Sequence, residues 1–170
     1  MVNKKNVRIA IEPIGYIFGV LLFSMIAVFI FSELHIEHLG DIFFFVPRLL
    51  FVVLGILLII PFSFTFIYGM FDLNKNLASP AKHLIVNGMF RYVRHPIYAG
   101  LSFTIMGFGL LYESTGFFVG GILWLILFYT RARNEERHLI EIFKETYIHY
   151  RSTTQMFLPD FFRLIEDLFK

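Results

Sequence analysis

Four apolar runs, at about Ile14–Phe31, Ile42–Ile67, Ile97–Tyr112 and Phe117–Thr130, leave this chain few ways to fold outside a bilayer. A bilayer-spanning helix needs ~20 apolar residues. The first two runs meet that length, the second with enough excess to tilt and with a bend expected at Pro61. The last two fall short, so they reach both interfaces only if residues 93–96 and 131–136 extend them. Composition agrees: 57% of the residues are hydrophobic and 23 of the 170 are phenylalanine, well above the ~45–50% apolar content of ordinary soluble domains. The expectation is an all-α, polytopic membrane protein of about four transmembrane helices. It forms a single domain over 1–170, with a two-span region at 14–67, a tight C-terminal helical hairpin and C-terminal helices at the membrane surface.

The basic residues set the orientation. In a four-span arrangement all but one of the 15 Lys and Arg fall on one side, at the N-terminus (Lys4, Lys5, Arg8), in the middle loop (Lys75, Lys82, Arg91, Arg94) and after Thr130. Only Arg48 lies elsewhere. The positive-inside rule then puts both termini and the middle loop in the cytoplasm. The N-terminal run carries no small-residue cleavage site and reads as a retained span.

Absences narrow the function. Without cysteine there is no disulfide, thiolate metal site or cysteine nucleophile. The formal charge of +2 does not argue for nucleic acid. His35 and His38 flank Glu37 in a short connection on the far side, an inadequate ligand set, so no metal is expected. Gly107-Phe-Gly109 lies inside an apolar run with no strand before it, so a dinucleotide-binding turn is not supported there.

The hairpin is bounded by turn chemistry at Glu113-Ser-Thr-Gly116, with Gly116 as the glycine of the reversal. Gly116, Gly120 and Gly121 should face Gly100, Gly107 and Gly109 and let the two backbones approach closely. Arg94 and Glu135 are about equally far from this turn, so Arg91-Tyr-Val-Arg-His-Pro-Ile-Tyr98 and Arg133-Asn-Glu-Glu136 should meet at one membrane face. Ionisable groups clustered at the mouth of an apolar bundle are costly, and mark a functional site. Pro96 suits the first position of a helix. Arg94 and His95 would then sit just before free N–H groups, an anion site for a carboxylate or phosphate. Glu135 and Glu136 would accept hydrogen bonds from an ammonium or from ribose hydroxyls, so the cluster would grip a small zwitterion. Farther on, 131–150 reads as one helix with a stripe of Leu139, Phe143, Tyr147 and Tyr150. Asp160–Phe169 reads as an interfacial helix capped by Asp160.

Leu84-Ile-Val-Asn-Gly88, Phe90-Arg-Tyr-Val-Arg-His-Pro-Ile-Tyr98 with Gly100, then Glu135-Glu136, Leu139, Phe143, Tyr147, Tyr150 and Leu158-Pro159 resemble the integral-membrane methyltransferases, which include isoprenylcysteine carboxyl methyltransferases and phospholipid methyltransferases. The resemblance covers roughly 77–160. It implies an enzyme that takes S-adenosylmethionine from the cytosol and a lipophilic or prenylated small-molecule acceptor from the bilayer. By that resemblance Gly88, His95, Pro96, Tyr98, Gly100, Glu135 and Glu136 bind the cofactor, and Arg94, Glu135 and Glu136 serve catalysis. Asn134 stands where some relatives carry another glutamate, and no tryptophan follows Gly100 as it does in many prenylcysteine enzymes. A carboxyl acceptor, ionised at neutral pH, would need only Arg94 to orient it. An amine, as in N-methylation of a phospholipid head group, would need Glu135, Glu136 or His95 as base. The sequence reading favours the carboxyl acceptor. A membrane reductase would need a second polar cluster, and a non-catalytic adaptor would leave the matched charges unexplained.

Overall fold

The structure, a computed structural model, describes residues 47–77 and 84–169, together with Leu22, Ile26 and Ile30, which are helical and exposed. Among the described residues it is all helical. The elements are α1 (Arg48–Leu77), a 3-10 turn (Gly88–Arg91), α2 (Pro96–Leu111), α3 (Thr115–Phe143), α4 (Glu145–Thr153) and α5 (Phe161–Leu168). Arg48–Asn76 and Thr115–Phe143 are long and apolar enough to cross a membrane, while Pro96–Leu111 is a shorter apolar helix. The expected first span, the His35/His38 connection and the loop around Ser79-Pro80 lie outside the described residues.

The expected spans shift at their ends. The second continues ten residues past Ile67, and α1 runs on through Pro61. The expected hairpin arms correspond to α2 and α3, whose extension to Phe143 carries an apolar helix into a charged one. The expected single helix over 131–150 is broken: Lys144 adopts φ 49° and α4 starts afresh at Glu145. A non-glycine residue at positive φ cannot continue an α-helix, and neither the apolar stripe nor propensity signals that break.

The described residues divide into two compact units, one made of residues up to Phe62 with Ser102–Trp124, the other of Ser63–Leu101 with Leu125 onward. In the first, Phe51 and Leu110 are buried against Leu58 and Phe118, and the Phe62 and Phe103 rings lie 4.4 Å apart. Glycines set how closely the backbones approach, with pairings that differ from the expected ones. A Cβ on Gly107 would come within 2.9 Å of the Gly55 carbonyl of α1, and one on Gly121 within 3.0 Å of the Ser102 carbonyl of α2. A Cβ on Gly109 would meet the Phe118 backbone nitrogen at 2.4 Å. The reversal is also not glycine's work: Gly116 is already inside α3, and Glu113 takes the positive φ of 52° while pairing with Arg48 at 2.9 Å. Ser114 ties the turn, donating its N–H to Gly109 at 2.8 Å and accepting from the Phe118 N–H at 3.1 Å. Gly109→Ala should therefore force backbone apart at the turn, costing about 1–3 kcal/mol, which thermal unfolding of the detergent-solubilised protein would measure. A melting temperature equal to that of wild type would show that the turn yields freely.

In the second unit the start of α2 is seated on α1. Pro96 is fully buried, and a Cβ on Gly69 would lie 2.8 Å from the Pro96 side chain. Asp72, almost one turn farther along α1, accepts from the Met89 N–H at 2.6 Å and holds the 3-10 turn. Gly88 opens that turn with φ 58°, and a Cβ there would strike the Asp72 carboxylate at 2.1 Å. Both the backbone conformation and the missing side chain are required at Gly88.

Candidate active site

Phe128, Ala132 and Glu136 follow one another at four-residue spacing on α3, and all three are buried, at 2%, 0% and 2% exposure. That stripe carries the helix from apolar packing to a carboxylate without turning its inner face. The Phe128 ring stacks on Tyr98 of α2 with centroids 4.5 Å apart. Tyr98 in turn lies parallel to the His95 ring at 5.7 Å. Aromatic packing thus brings the end of α3 and the start of α2 to the same level, as the equal distances from the turn predict.

The two carboxylates have different surroundings. Glu136 Oε1 accepts from Arg94 Nε at 2.8 Å and lies 3.3 Å from His95 Nε2. Its Oε2 is buried, receives no hydrogen bond, and has Arg151 Nε 3.5 Å away. Glu135 is partly open, with 37% of its side chain exposed. Its Oε1 accepts from the Tyr98 hydroxyl at 2.6 Å and from Arg131 Nε at 3.2 Å, while Oε2 lies 3.7 Å from His95 Nδ1. The imidazole therefore stands between two carboxylates, and in its neutral form it donates to only one of them at a time.

Arg94 is held on several sides. Besides Glu136, its Nη1 donates to the Arg151 carbonyl at 3.1 Å and to the Thr154 carbonyl. Its own backbone N–H donates to the Gln155 carbonyl at 2.8 Å, and that of His95 to Met156 at 3.1 Å. The stretch after α4 thus runs as a strap along the motif. The anion site is expected at the free N–H groups of the helix start just past Arg94 and His95; the N–H groups of these two residues themselves are taken by the chain. A stretch some sixty residues away along the sequence fills them, which no local pattern signals.

Sequence reasoning also passed over Arg151, counted only as a basic residue, and the contacts of two tyrosines that entered as members of an apolar stripe and of the family resemblance. The Tyr150 hydroxyl donates to the Phe90 carbonyl at 2.5 Å. Tyr147 is 1% exposed, and burial first, then the Glu136 charge, push its phenol above the usual range. It stays protonated beside that carboxylate. Of the remaining expected residues, Pro96 begins α2 and Gly100 is buried within it. Gly88 stands apart from this group, against Asp72.

The arrangement can hold a cation or a hydroxyl-rich ligand. A buried carboxylate oxygen without a hydrogen bond leaves unmet acceptor capacity, and Glu135 offers a second carboxylate from the exposed side. This acceptor set thus suits the ammonium and ribose hydroxyls of an adenosylated amino acid. No cluster of metal-ligating residues occurs among the described residues.

The family model for phospholipid methyltransferase matches residues 49–146, more than half of the chain. The match begins earlier than the sequence resemblance and ends before the strap, so it takes in Arg94, His95, Tyr98, Glu135 and Glu136 but neither Thr154–Met156 nor α5. Searches of curated proteins and of solved structures gave no significant match.

Proposed function

From the premise that the chain belongs to the phospholipid methyltransferase family of membrane methyltransferases, we propose that it transfers a methyl group from S-adenosylmethionine to a lipid or lipophilic acceptor at the membrane, and that the acceptor is an amine. The observation carrying the choice of acceptor is the state of Arg94. Its Nε and Nη1 are spent on Glu136 and on two backbone carbonyls, so the cation that would orient an anionic acceptor is largely neutralised. Glu135, by contrast, presents a partly exposed carboxylate next to His95.

Glu136 would hold the cofactor's ammonium or ribose from within, through Oε2, which receives no hydrogen bond, and Glu135 would hold it from the open side. S-adenosylmethionine supplies an electrophilic methyl, so the protein has little acid–base work to do on the donor. Its contribution is alignment of the acceptor with the methyl group and exclusion of water, worth up to about 7–11 kcal/mol in the best-oriented cases. An ammonium acceptor must first lose its proton, and the Glu135–His95 pair is placed to take it. Tyr98, donating to Glu135 and stacked on Phe128, keeps that carboxylate aimed. The carboxyl acceptor that the sequence favours is the second reading, because a cationic Arg94 still lines the site. The four-span count and cytoplasmic termini complete the proposal. The one-sided distribution of Lys and Arg supports them.

The test is incubation of purified protein with radiolabelled S-adenosylmethionine and vesicles containing either an aminophospholipid or a prenylcysteine analogue. Label in the aminophospholipid, at a rate rising with pH as the amine deprotonates, is expected. Label in the prenylcysteine at a pH-independent rate would replace the amine by the carboxyl acceptor. Calorimetry should show cofactor binding that Glu135→Ala with Glu136→Ala abolishes; unchanged affinity in the double variant would overturn the site.

A further inference from the structure

Helix α5 is fixed in rotation by its polar side. Asp160 caps it, accepting from the Arg163 N–H at 3.1 Å, and the Asp160 N–H donates to the Tyr92 carbonyl at 3.1 Å. Near the other end Asp167 accepts from the Tyr92 hydroxyl at 3.0 Å and pairs with Arg91 at 3.0 Å. What this leaves outside is apolar. Phe162 is 85% exposed, Ile165 49% and Phe169 88%, with Leu158 at 61% just ahead of the helix. Positions 162, 165 and 169 fall on one helical face. Isolated apolar side chains are common on protein surfaces, but a contiguous patch with two nearly bare phenylalanines marks an interaction site.

We propose that this face of α5 docks into the surface of the bilayer, with Phe162, Ile165 and Phe169 inserted at the headgroup and acyl-chain boundary. The depth of the helix in the molecule selects lipid as the occupant. It is tied to Arg91 and Tyr92, a few residues before the apolar helix α2. Through the contacts of Arg94 and Tyr98 with Glu136 and Glu135, that point lies level with Arg131, Arg133 and Arg137, where α3 stops being apolar. This is the level at which aromatic residues and arginines partition into membrane interfaces. The charge does not oppose this placement: Asp167 is neutralised by its pair with Arg91 and lies mostly buried beneath it. An in-plane helix of this kind buries its apolar side about 5–10 Å into the boundary. The inference depends on the membrane setting alone and not on the methyl transfer proposed above.

The chain has no cysteine, so single cysteines at Phe162, Phe169 and Glu166 can be labelled in turn with an environment-sensitive fluorophore. The labelled full-length proteins are reconstituted in vesicles of phosphatidylcholine and phosphatidylglycerol carrying nitroxide lipids. Labels at 162 and 169 should be quenched by the nitroxide several-fold more than the label at 166, and aqueous iodide should give the reverse order. A labelled Ile165→Cys protein that also carries Phe162→Glu and Phe169→Glu should lose nitroxide quenching and become open to iodide. Equal iodide access at all positions would overturn the docking. So would labels shielded from both quenchers with energy transfer between copies, because a second copy of the chain would then cover the face.

Discussion

Glu136→Ala should unfold the site before any question of catalysis arises. The carboxylate is 2% exposed and faces Arg94, whose side chain is itself only 10% exposed, with His95 and Arg151 beside it. Removing one partner of a buried ion pair leaves the other charge desolvated and uncompensated, which costs about 3–5 kcal/mol. For a chain of this size each kcal/mol lowers the melting temperature by roughly 2–4 °C, so a fall of at least about 6 °C is expected in detergent. Glu136→Gln keeps one acceptor and the volume, and should lose less stability while still losing cofactor affinity. A Glu136→Ala protein that melts with wild type would mean that Arg94 relaxes to water and that the buried pair is not the hub of the site.

Arg94→Lys should have the second large effect. Lysine keeps the charge, but a single ammonium cannot reproduce the planar fork that reaches Glu136, the Arg151 carbonyl and the Thr154 carbonyl at once. Turnover is expected to fall by at least ~10-fold, equivalent to ~1.4 kcal/mol of barrier, because both the aim of Glu136 and the strap depend on that fork. The comparison is made per folded molecule, with the folded fraction taken from melting and cofactor affinity from calorimetry. A folded Arg94→Lys enzyme that turns over at the wild-type rate would show that Arg94 serves the scaffold alone.

Most of what places the chain in a bilayer and in its family was legible along the sequence. Apolar run length decides where helices can lie in lipid, since backbone groups there must be satisfied within the segment, and Pro96 and Asp160 announce α2 and α5 by the chemistry of helix starts. That the stretch around Arg94 meets the stretch around Glu135 followed from equal distances on either side of one turn. These are matters of period and count, which a linear pattern carries. The pairing of Arg94 with Glu136 and of Tyr98 with Glu135 did not follow from them. The backbone hydrogen bonds of the motif are another matter. That Gln155 and Met156 occupy the N–H groups of Arg94 and His95, that Arg151 approaches Glu136, and that Asp72 fills the space beside Gly88 depend on distant segments competing for the same donors and volumes. Lys144 breaks the helix, and Glu113 rather than a glycine takes the strained turn, against local preference. Only tertiary packing can offset that local cost, so only the folded molecule reveals which acceptors remain free for a ligand.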